Sequence, residues 1–220
     1  MIVTLDGPAG AGKSTIARRL ADRLGFAFLD TGAMYRAVTL AAARNQGPWD
    51  EPQALADLAR RCQIDMDGSR VRLNGEDVSE SIRSKEVTSR IHFLADNPAV
   101  RERMVELQRA FAVGKDLVTE GRDQGTIAFP DAECKIFLTA SPEERAKRRV
   151  EELQARGERI SVEEVLLQQN ERDHRDSTRK VGRLEPAPDA IDVSTDGMSP
   201  EEVVERLVAI VSEKMQRADG

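Results

Sequence analysis

A short β-branched run, Ile2 to Leu5, is followed by Gly7-Pro8-Ala9-Gly10-Ala11-Gly12-Lys13-Ser14 and then by Ile16, Leu20 and Leu24 at helical spacing. The eight residues fit G-x-x-x-x-G-K-[ST], and a strand before and a helix after is the context that gives the pattern meaning. Glycines let successive backbone N–H groups turn inward around a phosphate, and the helix beginning near Lys13 adds the positive end of its dipole. Lys13 is expected to bridge the β- and γ-phosphates of ATP, and the Ser14 hydroxyl to ligate Mg²⁺. Gly7, Gly10, Ala11, Gly12, Lys13, Ser14 and the following Thr15 are therefore the expected nucleotide-binding residues.

A second concentration of chemistry lies late in the chain. Nine arginines (145, 148, 149, 156, 159, 172, 175, 179 and 183) fall between Arg145 and Arg183. If the stretch is helical, Arg172, Asp176 and Arg179 stand at i, i+4 and i+7 on one face. Like charges stacked on a face are costly unless an anion or counter-charge meets them. Arginine also suits phosphoryl transfer, where planar donors follow charge spreading over oxygens. The segment reads as an arginine lid, and a solvated helical hairpin laced by pairs such as Glu171 with Arg175 is the alternative. No Asn-Lys-x-Asp motif accompanies the phosphate loop, so the sequence does not read as a GTPase.

These residues need a scaffold. At 220 residues, with 40% hydrophobic and 33% charged, the chain suits one α/β unit, or one with a small insert. Phe26–Leu29, Asp116–Thr119, Cys134–Thr139 and Ala190–Val193 read as further strands. Helices are expected over 31–45, over 51–61, after Asn97-Pro98, after Ser141-Pro142 and after Ser199-Pro200. Strands alternating with helices predict a parallel sheet covered on both faces. Residues 64–78 differ, alternating polar and apolar around Asp67-Gly68 and Asn74-Gly75, which predicts a small antiparallel hairpin.

Composition narrows the function class. A net charge of −6 argues against a general nucleic-acid binder. No apolar run approaches the roughly 20 residues that span a bilayer, and the opening residues read as a strand entering a loop, which predicts no cleaved leader. Cys62 and Cys134 are far apart, so neither a disulfide nor a zinc framework is expected and a reducing cytoplasm is.

Taken in order, LDGPAGAGKST, FLDTGAMYR, NGEDVSESIRSKEV, NPAVRERMVELQRAF, VTEGRDQGTIAFPDAECKIFLTASPEERAKRR and ERDHRDSTR resemble the bacterial cytidylate kinases. The resemblance runs from about residue 2 to residue 215. GPAGAGKST is generic to phosphate-loop proteins, whereas GRDQGT with FPDA, and ERDxRDxxR, are far more specific. It implies a nucleoside monophosphate kinase fold: a five-stranded parallel sheet flanked by helices, an arginine-rich helical lid and a small inserted antiparallel acceptor-binding domain. On that basis the core comprises 1–61, 86–144 and 184–220, the insert 62–85 and the lid 145–183.

The resemblance further implies transfer of the ATP γ-phosphoryl group to CMP or dCMP by a cytoplasmic, monomeric enzyme using Mg²⁺. Thr31 and Arg36 are then expected at the acceptor nucleotide, with Arg36 on its phosphate. Arg101 and Asp123 match positions on the cytosine, and Arg122 is expected at the acceptor phosphate. Arg172 and Asp176 match residues on the ribose hydroxyls, Arg179 completes that cluster, and Arg148 belongs to the lid over ATP. A carboxylate that accepts from the cytosine amino group would face a carbonyl in uracil, which makes discrimination large. The residues alone leave Arg122 free to pair with Asp123, and Thr31 free to be a helix cap. The chain departs from the family at His92, where a serine commonly touches the base, and at Arg183, where proline is usual. His92 bears on tolerance of UMP. Kinases of the same fold acting on UMP, AMP, shikimate or a nucleoside, a non-catalytic nucleotide sensor and an RNA-associated ATPase are the competing readings.

Overall fold

A computed structural model describes residues 1–155 and 157–218; Arg156, one of the nine arginines, lies outside the described residues. The chain forms two compact units, Met1–Phe28 with Lys115–Gly220, and Leu29–Gly114.

The first unit is built on a five-stranded parallel sheet. Its strands are β1 (Ile2–Asp6), β2 (Ala27–Asp30, which runs into the second unit), β6 (Leu117–Glu120), β7 (Cys134–Thr139) and β8 (Ile191–Ser194), in the order β2-β6-β1-β7-β8. β1 pairs in parallel with β6 and with β7, and β7 with β8. β1 and β6 are buried almost throughout, which is why they read as continuous apolar runs with no alternation. Helices α1 (Lys13–Leu24) and α8 (Pro200–Ala218) pack on the sheet and on each other. Leu20, Ala21, Val204, Leu207 and Val211 join Val3, Leu5, Ile136 and Leu138 in one core. Helices α6 (Pro142–Ala155) and α7 (Val162–Thr178) form an antiparallel arm with a small core of its own, Ala146, Val150 and Val165.

The second unit holds α2 (Thr31–Arg44), α3 (Pro52–Arg61), the strands β3 (Ile64–Asp67), β4 (Arg70–Leu73) and β5 (Glu76–Asp77), then α4 (Lys85–Ala95) and α5 (Pro98–Ala112). β3, β4 and β5 form an antiparallel sheet with β4 in the middle. The expected hairpin thus carries a third strand, tied to α2 by a bidentate pair in which Arg44 donates to both oxygens of Glu76 at 2.7 and 2.8 Å. α4 is an element that the sequence reading passed over. Asn97 caps α5, as read, by accepting from Ala99 and Val100, and its own amide donates to Pro52 O at 2.7 Å. No helix among the described residues is long and apolar enough to cross a membrane.

Candidate active site

In a parallel sheet the strands all deliver their C-terminal ends to one edge, and ligands bind there. β1 ends in Asp6 and passes into the phosphate loop, while β6 ends in Glu120 and passes into Gly121-Arg122-Asp123. Gly7 is required where it stands: its φ is +147°, and a Cβ there would lie 2.0 Å from Leu138 O of the neighbouring strand. Gly12 occupies the N-cap of α1 and brings no side chain, so the first-turn N–H groups of α1 are left to an anion.

Lys13 is 5% exposed and its Nζ donates to Pro8 O at 2.8 Å. Burial, and then the guanidiniums of Arg122 and Arg172, bring its pKa down to about 7, against the opposing pull of Glu120 and Asp6. A lysine, two arginines and two carboxylates, Glu120 and Asp6, therefore act on one another beside the loop. The Ser14 hydroxyl donates to Glu120 Oε1 at 2.7 Å, while Thr15 is exposed beside it.

A second cluster centres on Asp176 of α7, whose side chain is 4% exposed. Arg122 Nε donates to its Oδ2 at 2.9 Å and Arg179 Nη2 to its Oδ1 at 2.5 Å. Burial alone would push the Asp176 carboxyl up, but Arg122, Arg179 and Arg172 outweigh it and hold it below the usual range. Burial likewise pulls Arg122 down, and the carboxylates of Asp176 and Glu120 outweigh that and raise it. Of the two openings the residues left, Arg122 thus reaches across to α7. The face expected of Arg172, Asp176 and Arg179 forms with one change: α7 stops at Thr178, so Arg179 is its C-cap with extended backbone.

Arg145 of the arm touches the phosphate loop; it is not among the site residues expected from the sequence. It is 4% exposed and donates to Ala9 O at 2.9 Å, to Ala140 O at 3.2 Å and to Asp173 Oδ2 at 2.6 Å. Gln169 of α7 donates to Arg145 O at 3.2 Å. Arg148 is held instead by Glu144 at 3.0 Å and by the hydroxyl and carbonyl of Thr195 at 3.0 and 2.8 Å. Arg183 donates to Arg179 O at 2.8 Å.

Thr31, Arg36 and Arg101 belong to the second unit. Thr31 is the first residue of α2 and is buried, but the cap is Asp30, whose Oδ1 accepts from Ala33 N at 2.8 Å. Arg36 Nη1 donates to Thr88 Oγ1 at 2.9 Å. Arg101, 4% exposed, donates to Ala95 O at 2.9 Å and lies 5.6 Å from the centre of the Tyr35 ring. His92 stacks on Phe93 at 4.2 Å and lines a cleft of about 240 Å³ with Trp49, Pro52 and Leu55.

The sequence reading missed two carboxylates besides Arg145. Glu120 was passed over beside the Arg122-Asp123 pair, and Asp6 beside the loop it precedes. The available signal was their position, since each is the acidic last residue of a central strand. Asp6 is 4% exposed; its Oδ1 accepts from Gln124 N at 2.9 Å and its Oδ2 from Gly125 N at 2.7 Å. Burial raises its pKa to about 6 in spite of those two donors.

Comparison with known proteins adds independent findings. The profile of the family described as Cytidylate kinase matches residues 3–213. The cytidylate kinase of Rhodopirellula baltica is 56% identical over 216 residues, covering 98% of this chain and 94% of that protein. The cytidylate kinase of Pelotomaculum thermopropionicum is 52% identical over 215 residues, covering 96% and 95%. Among solved structures, shikimate kinase from Bacteroides thetaiotaomicron superposes with a TM-score of 0.50 at 14% identity, over 96% of this chain and 98% of that one, a likeness of fold.

Proposed function

The chain belongs to the cytidylate kinase family, and from that premise we propose that it transfers the γ-phosphoryl group of ATP to the 5′-phosphate of CMP or dCMP, giving CDP or dCDP and ADP. The observation that carries the proposal furthest is the gathering of Lys13, Arg122 and Arg172 at the mouth of the phosphate loop, where burial and mutual repulsion leave the lysine near neutrality. Asp176, Glu120 and Asp6 offset part of that repulsion, and two nucleotide phosphates meeting head to head would offset the rest.

The attacking oxygen belongs to a phosphate that is already largely ionised, so no strong general base is required. Catalysis rests on positioning and on charge neutralisation away from water. The loop residues Gly7, Gly10, Ala11, Gly12, Lys13, Ser14 and Thr15 hold the donor phosphates. Arg122, Arg172 and Arg179 follow the charge as it spreads over the transferring oxygens. Asp123 and Arg101 read the cytosine, Arg36 and Arg122 hold the acceptor phosphate, Thr31 faces the acceptor nucleotide, and Asp176 and Arg172 take the ribose hydroxyls. To do so Asp176 exchanges part of its pairing with Arg122 and Arg179 for the sugar, and Arg148 leaves Thr195 as the arm closes over ATP. In this reading the core comprises 1–61, 86–144 and 184–220, and the insert 62–85 and the lid 145–183 are the parts that move on binding.

The residues present fit a divalent ion that arrives with the nucleotide. Ser14 Oγ and Glu120 Oε1 are adjacent hard oxygen donors, one a hydroxyl and one a carboxylate, as Mg²⁺ bound mainly through water and phosphate requires. The chemistry such an ion would supply, held by Ser14 and Glu120, is neutralisation of charge on the donor phosphates. In this reading the enzyme works as a monomer in the cytoplasm.

The test is ADP release with Mg-ATP and CMP, dCMP, UMP or AMP in turn, beside a sample with no acceptor. Rapid turnover with CMP and dCMP, weak with UMP and none with AMP is expected. Equal rates with UMP would move base selection away from Arg101 and Asp123 and toward His92. Slow release that ignores the acceptor would overturn the proposal.

A further inference from the structure

We infer that Asp6 is a positioning residue for the acceptor, fixing Arg122 and Asp123 by clamping the backbone of the turn that follows them. The inference rests on the acceptor roles proposed above for those two residues.

The β1–β6 ladder closes with Gly121 N donating to Leu5 O at 3.0 Å. Three residues later the chain enters a short π-helical turn, Gln124–Ala128, whose first N–H groups have no cap from the Asp123 side chain. Asp6 supplies it from the neighbouring strand, one carboxylate oxygen to each of two successive N–H groups. Arg122 and Asp123 are thus the two residues strung between a pin on Leu5 O and a pin on the Asp6 carboxylate. A third tie holds the far side, where Thr119 Oγ1 donates to Gln124 Oε1 at 2.9 Å.

The turn sits too close to the sheet for any looser arrangement. A Cβ on Gly125 would lie 3.0 Å from Thr4 Oγ1 of β1 and 3.3 Å from Lys135 Cδ of β7. Serving both N–H groups takes a side chain with two acceptor oxygens, one for each. Asn would serve one and turn an amino group toward the other. A carboxylate buried to this degree is costly to keep, and Asp123 of the turn and Lys13 of α1 are the charged groups that act on it. Asp6 differs from Lys13 and Ser14 in pointing at the acceptor side of the chemistry, although it directly precedes the loop.

Asp6→Asn is the variant to make, with Asp6→Glu beside it. Because placement errors near 1 Å cost on the order of 100-fold, Asp6→Asn is expected to lower kcat and raise the CMP KM, together about 10- to 100-fold in kcat/KM. Affinity for a non-hydrolysable ATP analogue, measured by calorimetry, should stay within about threefold, and Asp6→Glu should recover part of the loss. Equal losses toward CMP and the analogue would overturn the inference and make Asp6 a support of the phosphate loop; wild-type kinetics in Asp6→Asn would overturn it as well. Should the variant fail to fold, the ligand-free wild-type protein decides. Its Gln124 and Gly125 amide resonances should shift together on acidification, and their indifference would overturn the clamp. Failure of the wild-type protein to phosphorylate CMP would instead count against the acceptor roles, since the amide readout needs no substrate.

Discussion

Lys13 shows how a single side chain can be kept at a cost to the fold. Its ammonium, charged in the unfolded chain up to pH 10.5, is brought down to about 7 in the folded one by burial and then by Arg122 and Arg172. Between those values the unfolded chain holds a proton the folded chain lacks, so this residue makes stability rise with pH across that window; below about 7 its cost is complete. Lys13→Met is therefore expected to raise the melting temperature at pH 6.5 by roughly 2–8 °C, an advantage of about 1–2 kcal/mol. The gain should shrink at pH 9, while phosphoryl transfer falls by at least about 100-fold. ATP binding near pH 8 should take up protons, seen by calorimetry in buffers of different ionisation heat. Asp176 has the opposite sign. Its carboxyl is held below 3.8 by Arg122, Arg179 and Arg172, so its contribution is present above that pH and is lost as pH falls through its folded value. Asp176→Asn should cost about 3–5 kcal/mol in urea unfolding at pH 7, because two largely buried guanidiniums lose their partner.

At the scale of elements, α6 and α7 form an arm whose tie to the phosphate loop is Arg145. Arg145→Met would leave Ala9 O, Ala140 O and the Asp173 carboxylate without its donors. The expected result is about a tenfold rise in the ATP KM and faster amide exchange over 162–178, with the CMP KM changed much less. Ser161→Ala, which removes a capping box with Glu164, should cost about 1 kcal/mol confined to α7 in the same exchange experiment. Which elements the sequence disclosed follows from how local their causes are. The phosphate loop, the strand at Cys134–Thr139 and the Asn97 cap each depend on neighbours within a few residues, and all three were legible. The Ser14–Glu120, Asp6–Gly125 and Arg145–Ala9 contacts join residues more than a hundred positions apart, and no spacing announces them. The third strand of the small sheet, only two residues long, was too short to show a period. α4 was missed although Val87 and Leu94 mark one buried face, because the charged residues around them blur the stripe. The site roles drawn from GRDQGT and ERDHRDSTR came from resemblance; physics alone left Arg122 and Asp123 ambiguous.

For the whole molecule, nucleotide binding and stability are one equilibrium. A non-hydrolysable ATP analogue at about 100 times its Kd should add about 2.7 kcal/mol, a rise of roughly 5–11 °C in melting temperature for a chain of this length. CMP added to the saturated protein should raise it again, and AMP should not. The order β2-β6-β1-β7-β8 also has a consequence for how the protein is made. β1 is translated well ahead of both its neighbours, since Ile2 faces Leu117 and Val3 faces Cys134. Its neighbours are synthesised more than a hundred residues later, roughly 6–23 s at 5–20 residues per second. Throughout that interval Val3 and Leu5 have nothing to pair with, and the phosphate loop has no strand end to rest on. The phosphate loop is thus translated long before the strands that flank it, so every nascent chain carries its central strand unpaired for that interval and in need of protection from other nascent chains.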